Sequence, residues 1–216
     1  MTIDAHVHLW RLSRGDNVAL TPDMAAIYRD REPQHLKPLL DAAGVQRIVV
    51  VQAAETLAET LFTIGLSRRF TWIAGIVAWI DPASPAIEEE VAALAANPIV
   101  KGVRPVRDDN RSIAWLLDQR LERGWRALED HDFSLDILVQ NWREIPLATQ
   151  LARQLPALRV VLDHCGKPDI AAGAFLLWTW KQVSDAILAA KPEASRLAVL
   201  GRTATRVYRL ETEMEG

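Results

Sequence analysis

Between Thr2 and His164 six short runs of apolar, mostly β-branched residues alternate with five longer stretches of helical spacing. The short runs are the opening strand that begins at Thr2 and leads into His6 and His8, then Arg47–Gln52, Trp72–Trp79, Ile99–Arg104, Phe133–Gln140 and Leu158–His164. Helices are predicted at Gln34–Ala43, with Gly44 suited to a left-handed cap, and at Ala54–Ser67, Ala86–Ala96, Ile113–Glu129 and Ile145–Gln154. Strand-then-helix alternation with short connections implies parallel strands joined by right-handed crossovers. A doubly wound open sheet would place a Gly-x-Gly-x-x-Gly turn behind the first strand if it bound a dinucleotide, and none is there. The expected fold is therefore α/β, a TIM-type (β/α)8 barrel in incomplete form: six βα units followed by C-terminal helices.

Half of the 216 residues are hydrophobic and the net charge is −3, enough apolar material for a single domain over residues 1–216. A near balance of charges without a basic cluster argues against a nucleic-acid partner. Cys165 is the only cysteine, which excludes an intrachain disulfide and fits a reducing compartment. Apolar stretches are too short to span a bilayer, so no membrane role and a cytoplasmic location are expected.

In parallel α/β folds chemistry gathers at the carboxyl ends of the strands. Here those ends carry His6 and His8, two apart and so on one strand face, then Gln52, Arg104, Gln140 and His164, with Trp10, Glu55 and Lys167 just beyond. His6, His8 and His164 could close on one ion or one substrate. Arg104 either grips a carboxylate in a two-pronged contact or pairs locally. Trp10 either stacks on a ligand or roofs the barrel. Lys167 is a further candidate for a carboxylate, with solvation at a turn as its ordinary fate. A pocket of imidazoles, amides and cations suits a small anionic or sugar-like ligand. Cys165 reads as a buried apolar thiol, and His35 and His131 as surface side chains.

The segments IDAHVHLW, LLDAAGVQRIVVVQAAET, VKGVRPV, DILVQ and VVLDHCGKP resemble the amidohydrolase superfamily, and within it the branch of sugar-acid lactonases and pyrone-dicarboxylate and muconolactone hydrolases. The likeness runs from Thr2 to about Lys181. It implies a (β/α)8 barrel that adds water to a lactone carbonyl. It also implies a divalent ion, zinc first, on His6, His8 and His164, although some members work without a metal. Gln140, where the wider superfamily often has histidine, favours the lactonase branch over a two-metal site. Gln52, Arg104, Gln140, Trp10 and Lys167, by their places at and just beyond the strand ends, are the substrate-binding candidates.

Beyond Lys181 the likeness fails: the family's strands seven and eight, the latter with its catalytic aspartate, have no counterpart. Val183–Leu188 stands where they are expected, and Lys191–Ala194 and Gly201–Leu210 look like the last helices. Among possible replacements, Asp4 is expected in a buried structural role, Asp163 on the opposite strand face from His164, and Asp185 in solvent. Weak or no hydrolysis is therefore expected of this polypeptide. A catalytically inactive member that binds a ligand or a second copy is one alternative, since open strand edges invite homo-oligomers. A metal-dependent decarboxylase of the same superfamily is another.

Overall fold

A computed structural model describes residues 1–106, 112–167, 193–197 and 201–210. Its six strands are β1 (Ile3–Val7), β2 (Arg47–Val51), β3 (Ile73–Ala78), β4 (Val100–Val103), β5 (Ser134–Ile137) and β6 (Arg159–Leu162). All neighbours pair in parallel and the spatial order is the chain order, β1 to β6. Five helices fall between successive strands: α1 (Pro33–Ala42), α2 (Leu57–Ser67), α3 (Ile87–Ala95), α4 (Glu122–Asp130) and α5 (Ile145–Gln154). Sequential order with crossovers of one hand puts every helix on the same side of the sheet. The sheet then curls away from them into half of a barrel.

Two apolar layers result. Ile48 and Val50 of β2 and Ile76 of β3 face the helices, packing with Leu40, Ile64, Val91 and Leu128. Val49, Val51, Ala74 and Val77 face the hollow of the curl. Each fully buried aliphatic side chain contributes roughly 1.5–3 kcal/mol. The hollow is filled from the C-terminus, where α6 (Glu193–Leu197) and α7 (Thr203–Val207) precede Tyr208 and Leu210, both buried against Ile3, Val49 and Val51. Tyr208 Oη donates to Asp136 Oδ2 at 2.7 Å, and Arg159 Nε to the Val207 carbonyl at 3.0 Å. Asp132 receives both Arg159 and Arg209, closing the segment onto β5 and β6.

The helix predicted at Ile113–Glu129 is in fact two short 3₁₀ turns, Ile113–Leu117 and Gln119–Leu121, followed by α4. Asp118 breaks it: its backbone is extended (ψ 123°) and its carboxylate accepts the Arg120 N–H, the local bond by which aspartate competes with a helix. α2 starts at Leu57 rather than Ala54 because Thr56 caps it, its Oγ1 accepting the Glu59 N–H at 3.1 Å. The strands β2, β4 and β5 end before Gln52, Arg104 and Gln140, although the Gln52 N–H still donates to the Val77 carbonyl at 2.9 Å and the Arg104 N–H to the Ala78 carbonyl at 2.8 Å. Gly44 takes the expected left-handed conformation, φ 64°. The expectations for Trp178–Leu188, Asp185 included, lie outside the described residues. No helix among the described residues is long and apolar enough to cross a membrane.

Candidate metal centre

The register of β1 against β2 shifts between Asp4 and Val7. Ile3 and Ala5 face the hollow, whereas Val7 and Leu9 pack toward the helices. This irregularity turns His6 and His8 inward together and leaves Asp4 exposed, its Oδ1 accepting the His6 N–H. The buried role expected for Asp4 is thus corrected; strict alternation does not survive the shift. On the far side of the curl, β6 ends in a turn whose residues His164, Cys165, Gly166 and Lys167 all have positive φ, between 48° and 74°. Such backbone is costly for residues other than glycine and needs surrounding structure to hold it. It delivers His164 across the opening to His6.

Three ring nitrogens meet there. His6 Nε2 lies 3.1 Å from His8 Nε2 and 3.1 Å from His164 Nε2. Among the described residues these three imidazoles form the one cluster with metal-ligand geometry, all donor atoms within 4.8 Å of one another. His8 Nδ1 is 2.9 Å from the Val51 carbonyl, an acceptor, so the proton belongs on Nδ1 and the lone pair on Nε2. His6 Nδ1 lies 3.2 Å from Asp163 Oδ1, a charge contact whose angle falls short of a hydrogen bond. It too places the lone pair on Nε2.

Lone pairs facing at 3.1 Å repel unless a cation lies among them. Four-coordinate zinc with nitrogens at 2.0–2.1 Å requires about 3.3–3.4 Å between ligand atoms. The residues therefore fit a divalent ion, with the carboxylate and the carbonyl behind His6 and His8 as the outer partners such ligands usually have. Burial, with Arg104 and His6 nearby, lowers the His8 pKa to about 3, which keeps it a neutral donor.

Arg104 joins three strand ends. Its Nη2 donates to the Gln52 carbonyl at 2.6 Å, its Nη1 to Asp163 Oδ2 at 3.2 Å, and its own carbonyl accepts Gln52 Nε2 at 3.3 Å. Arg104, Gln52 and Asp163 are all buried. Two of the guanidinium nitrogens are thus paired within the protein, as local pairing of Arg104 requires, while its Nε has no partner among the described residues. Burial by itself would raise the Asp163 carboxyl, but His6 and Arg104 outweigh it and hold it below the usual carboxylate range. Asp163 is hence not on a face away from the site, as alternation had it. The left-handed turn lets consecutive residues, Asp163 and His164, both reach His6.

A cavity of about 630 Å³ opens at the same end of the sheet, lined in part by Asp16, Asn17, Gln52, Arg104, Gln140 and Lys167. Gln140 is anchored through its backbone, its N–H donating to Glu144 Oε2 at 2.8 Å. Trp10 does not line this cavity; its Nε1 donates to the Arg29 carbonyl at 2.8 Å and its backbone pairs with Arg31, stapling the two ends of the β1–α1 loop. His35 and His131 are exposed, as expected, but so is Cys165, which was expected to be buried. Glu59 is a polar group with no place among the expected site residues, whereas Asp163 was named but set on the wrong face. The signal for Glu59 was the capping pattern Thr56-x-x-Glu59, although its side chain turns instead to the Ala53 N–H, 3.3 Å away.

A curled parallel β/α sheet with clustered histidines at its carboxyl end is the arrangement in which β/α barrels gather their functional groups. The amidohydrolase family model matches residues 3–186, and the chain belongs to that family. It is 38% identical over 190 residues to an L-fucono-1,5-lactonase of Burkholderia ambifaria, a match covering 88% of this chain and 64% of that protein. A zinc-bound amidohydrolase structure from Burkholderia multivorans superposes with a TM-score of 0.71 at 29% identity, covering 93% of this chain and 66% of the other. A structure described as a probable 2-pyrone-4,6-dicarboxylic acid hydrolase from Acinetobacter baumannii, with citric acid bound, shares the fold (TM-score 0.59, 19% identity, 76% and 58% of the two chains). The chain spans slightly under two thirds of the length of the first two relatives.

Proposed function

We propose that this chain binds a divalent ion, zinc first, on His6, His8 and His164, accepts a sugar-acid lactone in the adjoining cavity, and hydrolyses it slowly. The observation that carries the reading is the meeting of three Nε2 atoms, two of them on rings backed at Nδ1 by Val51 and Asp163. A divalent ion at such a site supplies Lewis-acid polarisation of a carbonyl. The chain's own groups do the rest. Gln52 and Arg104 keep the Asp163 carboxylate aimed at His6 Nδ1, so the His6 ring is fixed in one orientation. Gln140, Asn17 and Lys167 offer amides and an ammonium to ring hydroxyls or to a carboxylate. The relatives named above favour a lactone over other carbonyl substrates.

A proton leaving the attacking water needs an acceptor, and among the described residues no carboxylate joins the three imidazoles. General-base help is worth about 10²–10⁴ in rate, so the purified chain should turn over L-fucono-1,5-lactone at least about 100-fold more slowly than the Burkholderia ambifaria relative does. The same observation favours a second reading, an inactive chain that still binds metal and lactone. Zinc titration followed by a pH-indicator assay separates them: slow hydrolysis lost in His6→Ala supports the first, saturable lactone binding without hydrolysis the second. Failure to bind either zinc or lactone sinks both.

A further inference from the structure

Glu59 is a buried carboxyl that the centre above does not use. It is 3% exposed, its Oε1 accepts the Ala53 N–H at 3.3 Å, and its Oε2 has no partner among the described residues. It lies under the wall of the cavity rather than in it. One helical turn on, Phe62 receives the Arg14 guanidinium 4.3 Å above its ring, and Arg14 is paired with Asp16. The Arg14–Asp16 stretch of the β1–α1 loop therefore rests on the face of α2 that carries Glu59. Asp16, Asn17 and Ala53–Thr56 are cavity lining, so both walls that Glu59 touches or faces bound the mouth.

We propose that Glu59 is a positioning residue of the mouth: as a neutral acid it lets the Ala53–Thr56 turn and the Arg14–Asp16 stretch close together around the cavity. Ionised, it would set an unsolvated negative charge with one free oxygen beside the Asp16 carboxylate. The groups facing it are Asp16 and Arg14 from the loop and Arg104 from the end of β4. Burial, reinforced by Asp16 and opposed by the Ala53 N–H, Arg14 and Arg104, pushes its pKa up to about 8. The walls should open as it ionises. Neither metal nor lactone enters this inference, so it stands or falls apart from the proposed function.

The test is hydrogen exchange of residues 14–19 and 53–56 between pH 6 and 9, corrected for intrinsic rates. Opening coupled to one ionisation lowers protection by up to about tenfold per pH unit, levelling off above pH 8. Wild-type chain should show this slope and Glu59→Gln should show none; an unchanged slope in Glu59→Gln overturns the proposal. Should that variant fail to fold, carbon-13 titration of the wild-type glutamate carboxyls decides. A glutamate titrating near pH 8 upholds the proposal, and ordinary titration of every glutamate refutes it.

Discussion

Asp163 does more at the site than any residue that binds nothing from solution. Buried between Arg104 and His6, its carboxylate favours a proton on His6 Nδ1 and so favours Nε2 as the nitrogen with the lone pair. Outer partners of metal-bound histidines are worth about 10–100-fold in metal affinity, and Asp163→Asn should weaken zinc binding by that factor while leaving the fold intact. Competition against a chelating dye reads this directly; an unchanged affinity would deny Asp163 its orienting role. Arg104→Lys should act the same way, since an ammonium cannot reach Gln52 and Asp163 with the two-pronged geometry of the guanidinium.

At the level of elements, the repeating strand and helix periods were legible because burial of one face imposes them wherever they occur. Helix α5 falls on Ile145–Gln154 as its pattern predicts, and every strand lies inside its expected run. The residue types at the strand ends were legible for the same reason. Their direction was not: the shift in β1 separates Asp4 from His6, and the left-handed turn after β6 joins Asp163 to His164, and neither leaves a mark in the order of apolar residues. Asp118 could be read as a cap or as a helical residue, and only packing selects the cap. Gly102 is an element-scale constraint of another kind. A Cβ there would lie 1.9 Å from Ser134 Oγ and 2.8 Å from the Ser134 carbonyl oxygen, so β4 and β5 approach closely only because it is glycine. Gly102→Ala should lower stability by about 1–3 kcal/mol, measured by urea unfolding; a neutral result would mean the strands can separate at little cost.

Over the whole molecule, the curl is completed by the C-terminal segment: Tyr208 and Leu210 fill the hollow, and Tyr208 satisfies a carboxyl, Asp136, that burial and the neighbouring Asp163 drive upward in pKa. Leu210→Ala should therefore cost about 2–5 kcal/mol, as much as a central core residue. The pH dependence of stability follows from opposed groups. Glu59, with its ordinary value of 4.5 raised to about 8, takes up a proton on folding, so its contribution falls as pH climbs between those values. His8, lowered from 6.5 to about 3, does the reverse, and its contribution falls as pH drops between them. Asp136, raised to about 8, acts with Glu59, and His164, lowered to about 4, acts with His8, so the opposed pairs offset each other between pH 4.5 and 6.5, and above that the two carboxyls are unopposed. Melting temperature of the metal-free chain should decline from pH 6.5 to 8, and Glu59→Gln should make that decline shallower, the remainder coming from Asp136.

X-ray absorption at the zinc edge of the loaded chain tests the centre most directly. One zinc per chain with three imidazole nitrogens at about 2.0–2.1 Å is expected, and that shell should be lost in each of His6→Ala, His8→Ala and His164→Ala. A sulfur neighbour at about 2.3 Å, which would bring in the exposed Cys165, or no stoichiometric zinc at all, would contradict it.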